Sequence, residues 1–293
     1  MLATLTTRSF RNLADAAFAP GEGRHLLLGS NGAGKTSLLE AVYLAATTKS
    51  FRTAELGACA RHGEAGFHVG IEAGPSGRDR LELGWQRDER LRLANGHVAP
   101  LAEHVALQPV VLWTAAEADL LAGTPVLGRR LIDRGLVSTR PTALAALSRY
   151  RRVLAQKRQL LASGRADGLG SWNELLAESA AEVVALRAAY VEALDAALAA
   201  VRERTALSLP PLRIEYLPSP RAGVRGRDAI LAALERIAPR ERERGTPLLG
   251  PHRDALRLLW GGREVGTVAS AGEGKALGLL LAAAQGTLVQ ATG

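Results

Sequence analysis

Gly29-Ser30-Asn31-Gly32-Ala33-Gly34-Lys35-Thr36 fits the pattern G-x-x-x-x-G-K-[ST] without a mismatch. The flanks suit the motif. His25 to Leu28 is a short apolar run that predicts a buried strand, and Ser37 to Ala46 predicts the start of a helix. Strand, glycine-rich turn and helix in that order is the setting in which the motif has chemical meaning. The glycines let the backbone curl until successive N–H groups point at phosphate oxygens, and the new helix adds the positive end of its dipole. The whole run, Gly29, Ser30, Asn31, Gly32, Ala33, Gly34, Lys35 and Thr36, therefore reads as a nucleotide site. Backbone amides of Asn31 to Lys35 would cradle phosphate. The Lys35 ammonium would reach the β- and γ-phosphates, and the Thr36 hydroxyl would hold Mg²⁺. On the helix, Leu38, Leu39, Val42 and Ala46 form the expected apolar face, with Glu40 and Tyr43 off its centre.

A chain of 293 residues can form one large domain or two smaller ones. Hydrophobic residues make up 47% and aromatic residues 4%, so Leu, Val and Ala must fill most of the core. The net charge of +8 and pI near 10.3 point to an anionic partner such as nucleic acid. Of the 37 basic residues 33 are Arg, so a coding bias competes with a binding surface as the source of that charge. Cys59 is the single cysteine, which excludes an internal disulfide, suits a reducing compartment and reads as an inert apolar residue. No signal-peptide core and no run of roughly 18 apolar residues is present. The six histidines show no helical ligand pairing. These features predict a cytoplasmic protein without a membrane partner.

Residues 1 to 8 and Ala16 to Phe18 read as strands. Phe67 to Leu101 carries short alternating runs separated by Pro75-Ser76-Gly77 and Asn95-Gly96, which predicts an antiparallel sheet. Pro109 to Trp113 reads as a more deeply buried strand. After Pro141 the texture becomes helical over 142–162 and 171–204. The first helix places Leu144, Leu147, Arg151, Leu154 and Arg158 on one side. The second has a long apolar stripe through Ala180, Val183, Val184, Leu186, Tyr190, Leu194 and Leu198. A helical hairpin this long inside an α/β framework suggests a projecting arm, with packing on the sheet as the alternative. Leu212 to Tyr216 predicts a strand and Asp228 to Ile237 a helix. Arg240 to Arg244 reads as a solvated stretch, and Leu256 to Leu258 with Val265 to Val268 as a hairpin around Gly261-Gly262.

Ser270-Ala271-Gly272-Glu273 opens the last helix. A serine and a glycine there form a second anion-binding helix N-terminus, and an ordinary serine N-cap is the competing reading. With the helical insertion before it, the tetrapeptide resembles the ABC-type signature loop, whose Ser and Gly approach the γ-phosphate held by another subunit.

Further blocks make the resemblance specific. Ser9-Phe10-Arg11-Asn12, Lys49-Ser50-Phe51-Arg52-Thr53, the spacing of Leu120, Leu121, Gly123, Pro125, Arg129 and Asp133, and Tyr150 with Leu154, Gln156, Leu160, Leu161 and Trp172 resemble the RecF family of bacterial DNA repair and replication proteins. So do Leu249-Gly250-Pro251-His252-Arg253-Asp254 and Ser270 to Lys275. The resemblance implies an α/β, ABC-type ATPase head (a P-loop NTPase) with an inserted helical arm. Its expected parts are an N-terminal lobe over 1–138, the arm over 139–244 and a signature-loop part over 245–293. It implies ATP and Mg²⁺ as cofactors, ATP-dependent homodimerisation on single-stranded or gapped DNA, recombinase loading with recombination-mediator proteins, and a part in the SOS response. Ser270 and Gly272 would meet the partner's γ-phosphate, and Arg11 and Asn12 would sit near the nucleotide. Lys49, Arg52, Arg149, Arg151, Arg152 and Arg158 are the candidates for DNA phosphate contact.

Several positions depart from the family pattern. Its Pro-acidic start of the central block is Ala115-Ala116 here, its first Arg is Gly128, and Lys275 stands where Arg is usual. No apolar strand ending in Asp-Glu follows the last helix, so no general base is assigned. A fragment of a longer protein is the expected explanation, with an ATP binder that hydrolyses poorly as the other. An ABC transporter ATPase subunit and a non-hydrolysing DNA-binding scaffold are the rival functions.

Overall fold

The computed structural model describes residues 2–74, 77–114, 125–164, 168–205, 210–220 and 226–292. The chain folds as two compact units, Met1–Leu112 and Trp113–Gly293. The boundaries expected at 138/139 and 244/245 follow the helical insertion, and both lie within the second unit. Leu120, Leu121, Gly123, the Ala115-Ala116 departure and most of the Pro75-Ser76-Gly77 turn lie outside the described residues.

In the first unit, six strands form an antiparallel sheet in the order β2-β1-β3-β4-β5-β6. They are β1 (Leu2–Arg8), β2 (Ala16–Phe18), β3 (Gly66–Ala73), β4 (Asp79–Gln86), β5 (Glu89–Ala94) and β6 (His97–Val98). Alternation decides which face is buried. Leu5, Phe67, Val69, Ile71, Leu81 and Leu83 point one way and meet helix α1 (Lys35–Thr47) through Ala41, Leu44 and Ala45. The expected Asn95-Gly96 turn joins β5 to β6. The β4–β5 turn carries no glycine. Arg87 and Asp88 take φ of 48° and 69°, the two positive values a tight hairpin turn needs.

Helix α2 (Leu101–Leu107) completes this unit and buries His104, whose ring Nε2 lies 2.7 Å from the Ala45 carbonyl.

Three sequence expectations change here. His25 to Leu28 forms no strand and pairs with none among the described residues, and Leu26 and Leu28 are each 81% exposed. Hydrophobicity buries a strand only where a neighbour accepts it, and no described strand hydrogen-bonds to this run. Pro109 to Trp113 likewise forms no strand and is half-buried rather than deep. On α1 the buried face is rotated: Glu40 is fully buried and Tyr43 nearly so, while Leu39 is 55% exposed. Ion pairs from Arg11 and Arg52 to Glu40 account for that rotation.

The second unit is built around helix α5 (Leu169–Glu203), 35 residues long. Its first half packs with α4 (Ala143–Ala162) and α6 (Arg227–Arg244) around Leu147, Tyr150, Leu176, Ala180, Val183 and Leu234. Its second half contributes Tyr190, Leu194 and Leu198 to a separate core. There it meets α3 (Pro125–Thr139), α8 (Ala271–Thr292) and a three-stranded antiparallel sheet. That sheet is β7-β8-β9, from β7 (Leu212–Leu217), β8 (Ala255–Trp260) and β9 (Arg263–Glu264). Packing on a sheet, the alternative to a projecting arm, holds for the second half of α5, while its first half is bundled with α4 and α6. Val265 to Val268 is one helical turn, α7, and β9 supplies the second arm of the hairpin.

Close approach of helices explains two of the small residues. A Cβ on Gly135 would lie 1.7 Å from the Tyr190 hydroxyl, where Gln285 Nε2 donates to Tyr190 across 3.0 Å. A Cβ on Gly128 would lie 2.9 Å from that of Leu256, so the glycine in place of the family's arginine lets α3 approach β8.

The expected face of α4 is also shifted. Ala143, Leu147, Tyr150, Leu154, Lys157 and Leu161 are buried, while Arg151 and Arg158 are exposed. Lys157 can be buried because one residue of the Arg240–Arg244 stretch turns inward: Arg240, Arg242, Glu243 and Arg244 are exposed as expected, and Glu241 is not. The stretch is the last turn of α6, and Glu241 there is fully buried with an oxygen 2.6 Å from Lys157 Nζ. The other Glu241 oxygen accepts the Leu248 N–H at 2.7 Å. Removing one member of a buried pair strands the other charge at a cost of about 3–5 kcal/mol, whereas neutralising both costs far less. Lys157→Met is expected to lower unfolding stability by that amount. Lys157→Met with Glu241→Gln, which keeps an acceptor for Leu248, should recover most of it in denaturant titrations; equal losses would show that the pair is not the cause.

Candidate nucleotide-binding site

Phe10 anchors one wall of the site. It is fully buried and meets Phe67 edge-on at 5.4 Å, in a core that Trp85 extends by stacking on Phe67. That anchor fixes its neighbours. Ser9 and Arg11 adopt φ near +48°, an uncommon conformation for non-glycine residues. It is held by the hydrogen bonds Arg11 N–H to Cys59 O and Arg61 N–H to Ser9 O. Arg11 and Asn12 are thereby directed at the loop.

Asn12 clasps the loop from both sides of its amide. Its Nδ2 donates to Gly32 O at 2.6 Å, and its Oδ1 accepts from Ser37 Oγ at 2.8 Å. Lys35 Nζ lies across the loop, donating to Gly29 O at 2.7 Å and Ser30 O at 2.8 Å. Gly34 caps α1 with φ of 94°, and a Cβ there would sit 2.8 Å from Leu13, so glycine is required twice over. No side chain caps this helix and its first turn holds no acidic residue. Its amides remain available for an anion.

The loop forms one side of a cleft of about 650 Å³. Asn31 to Ser37 line it together with Arg11, Asn12, Arg52, Ala58, Ala60, Arg61 and His62. The lining carries no carboxylate among the described residues, a charge balance that suits polyphosphate. Thr36 is exposed on the wall and would offer one oxygen to a Mg²⁺ ion; phosphate and water would supply the rest of the octahedron. Arg61 and His62 were not legible as site residues. The Arg61–Ser9 backbone pairing, the Phe10–Ala60 bridge and the bonds from the Arg61 guanidinium to Leu13 O and Asp15 bring them in.

Glu40 organises the far side of the cleft. Arg11 donates to both its oxygens, at 3.0 and 2.7 Å. Ser50 Oγ donates at 2.6 Å and Arg52 Nη1 at 3.2 Å. Burial disfavours the Glu40 charge, yet these bonds and the two guanidinium charges prevail and hold its carboxyl below the usual range. Burial and the Glu40 charge push the adjacent Cys59 thiol up to about 11, so this cysteine is protonated and inert at neutral pH.

In the second unit Ser270 and Glu273 form a capping box. Glu273 Oε2 accepts from Ser270 N–H at 2.8 Å and from Ser270 Oγ at 2.7 Å. The helix-cap reading and the signature-loop reading therefore fall on the same serine, beside Gly272 on the first turn of α8. Among the basic candidates, Arg52 is bound to Glu40, Arg149 pairs with Glu182 at 3.3 Å and Arg151 with Asp133 at 3.1 Å. Arg152 and Arg158 are exposed, and Lys49 lies on the exposed turn after α1.

Comparison with known proteins places this geometry in a family. The chain is 33% identical over 294 residues to the DNA replication and repair protein RecF of Anaeromyxobacter sp. (strain Fw109-5), covering 97% of this chain and 79% of that one. The chain belongs to the RecF family. RecF of Geotalea daltonii is 30% identical over 289 residues with the same coverage, and RecF of Frankia alni 33% over 314 residues, covering 99% and 82%. A solved structure of the recombination mediator protein RecF with ATP, from the RecFOR pathway, shares the fold with a TM-score of 0.88. It is 23% identical and covers 97% of this chain and 79% of its own. No family model matches. The α/β, ABC-type head expected for RecF is the fold observed. Among the described residues no helix is long and apolar enough to cross a membrane.

Glu40→Gln keeps the shape of the hub and removes its charge. Hydrogen bonds to charged groups contribute about 1.5–3 kcal/mol, so a loss of roughly that size is expected at neutral pH, with weaker binding of a fluorescent ATP analogue. Because the folded-state pKa of Glu40 is depressed, its contribution is complete above the ordinary carboxylate range and disappears as pH falls through the folded value. The stability gap between wild type and variant should therefore close only in acid, and a gap that closed near neutrality would refute the assignment.

Proposed function

We propose that the chain is an ATP-switched DNA replication and repair protein that binds ATP with Mg²⁺ over Gly29 to Thr36. The observation that carries this reading is the cradle itself: free α1 amides, a loop clasped by Asn12, and Lys35 lying across it. Lys35 exchanges its loop carbonyls for the β- and γ-phosphates. Arg11 and Arg52, held in place by Glu40, face the outer phosphates. Mg²⁺, when bound through Thr36, supplies charge neutralisation between phosphates.

Bound nucleotide then presents its γ-phosphate to Ser270 and Gly272 of a second copy, which makes ATP the link of a homodimer. Sharing the Ser270 hydroxyl between Glu273 and phosphate tunes that link. Family membership supports the wider setting: DNA at single-strand gaps, recombination mediators and recombinase as partners, a part in the SOS response, and a cytoplasmic location. It also sets aside a transporter subunit. The second reading, a DNA-binding scaffold without turnover, is favoured by the absence of a carboxylate from the cleft lining among the described residues. A steady-state ATPase assay with and without DNA separates the two.

Lys35→Ala is expected to abolish nucleotide binding in isothermal titration; retained affinity would sink the site. Ser270→Arg should bind ATP as wild type does but give no ATP-dependent dimer in sedimentation or light scattering. Glu273→Ala, which breaks the capping box and keeps the serine, should still dimerise. Dimers that persist in Ser270→Arg would overturn the split site.

A further inference from the structure

The block Leu249 to Asp254 is conspicuous in the sequence, and nucleotide binding does not account for it. In the structure it is nailed down by a buried charge network. Arg187 in the middle of α5 donates to Asp133 Oδ1 at 2.9 Å, to Asp254 Oδ2 at 2.7 Å and to Pro251 O at 2.7 Å. Asp254 also accepts from Tyr216 and from the Ser219 N–H. Tyr150 fastens the other end. Its hydroxyl lies 2.6 Å from His252 Nδ1 and accepts the His252 N–H at 3.1 Å. Nε2 faces Pro247 O at 3.4 Å, which fits a neutral ring protonated on that nitrogen.

This network holds Arg129 and Arg253 beside the block, and Arg158 from a third element adds its charge near the same histidine. Arg253 sits in the turn itself, exposed, with Nη2 reaching only Pro247 O. Arg129 of α3 is half-buried and donates to Asp254 O at 2.6 Å. Arg158 is exposed on α4, about two turns beyond the buried Tyr150. All three positive charges act on His252 and help to keep it neutral, after burial as the leading cause. The nearby carboxylates are already committed, Asp133 to Arg151 and Arg187, Asp254 to Arg187. No carboxylate among the described residues pairs with Arg158 or Arg253. Arg129 feels the Asp254 and Asp133 charges, so the uncompensated positive charge at this spot is that of the two exposed guanidinium groups, Arg158 and Arg253, which an anion would neutralise.

We propose that Arg129, Arg158 and Arg253 form a phosphodiester-binding surface, with the Tyr150–His252 clamp as the device that holds its central arginine in place. Guanidinium forks presented from separate elements match successive phosphate oxygens better than single carboxylates. Backbone phosphate of DNA is therefore the assigned ligand. This surface rests on the reading of the chain as a DNA-binding repair protein and names the residues that would touch the nucleic acid.

Both Arg158 and Arg253 are exposed, so Arg158→Ala/Arg253→Ala should fold with an unchanged melting temperature. In fluorescence anisotropy with a labelled gapped duplex, the double variant should bind roughly ten- to a hundredfold more weakly. The slope of log K against log[salt] should become shallower by close to 2, about 0.9 for each phosphate that is no longer neutralised. Arg236→Ala, an exposed arginine on α6, serves as control and should match wild type. Tight DNA binding by wild type with an unchanged slope in the double variant would overturn the surface while leaving the DNA-binding reading standing. No DNA binding by wild type would overturn both. Displacement of DNA by polyglutamate through the same two arginines would reassign the surface to an acidic peptide.

Discussion

A carboxylate sealed from water must be neutralised by its surroundings, and Glu40 shows how far that requirement reaches. Burying an unpaired carboxylate is prohibitive, so its position on α1 dictates where Arg11, Ser50 and Arg52 must go. Those three residues belong to two separate polar segments, one before the phosphate loop and one after its helix. Their convergence on a single side chain draws both segments to the same flank of the cleft. The loop then inherits its second clasp, because Asn12 is carried in beside Arg11. A nucleotide pocket whose lining carries Arg11 and Arg52 but no carboxylate among the described residues follows from one acidic residue beneath it.

The same economy recurs in the second unit with the sign reversed. There a buried arginine, Arg187, is the charge to be satisfied, and Asp133 and Asp254 are the groups drawn to it. In each case a block that carries the family resemblance is tied to an interior charge pairing. Arg129 and Asp133 of the central block, and Pro251 to Asp254 of the later one, are bound to each other through that arginine.

What the sequence disclosed and what it hid divide along a physical line. The phosphate loop was legible because glycine at fixed spacing has a local meaning, and so was the Asn95-Gly96 turn. Whole-chain motif spacing gave the RecF resemblance and the helical insertion. Long-range charge pairing left no such trace. Glu40 read as a residue off the buried face, Glu241 passed for one more residue of a solvated stretch whose other members are exposed, and Lys157 went unnoticed, although Glu40, Glu241 and Lys157 are all fully buried. The Arg87-Asp88 turn lacked a glycine to announce it. His25 to Leu28 failed in the opposite direction, since an apolar run states a preference for burial but cannot name the strand that would provide it.

Helix α5 carries a mechanical consequence. At 1.5 Å per residue its 35 residues extend roughly 50 Å, and from Ser171 to Glu203 they include neither glycine nor proline. The helix is a beam without a hinge, with its near half set in one core and its far half in another. Melting either core would expose the apolar face of its half of the helix, so the beam couples the stability of the bundle to that of the β7–β8 sheet and α8.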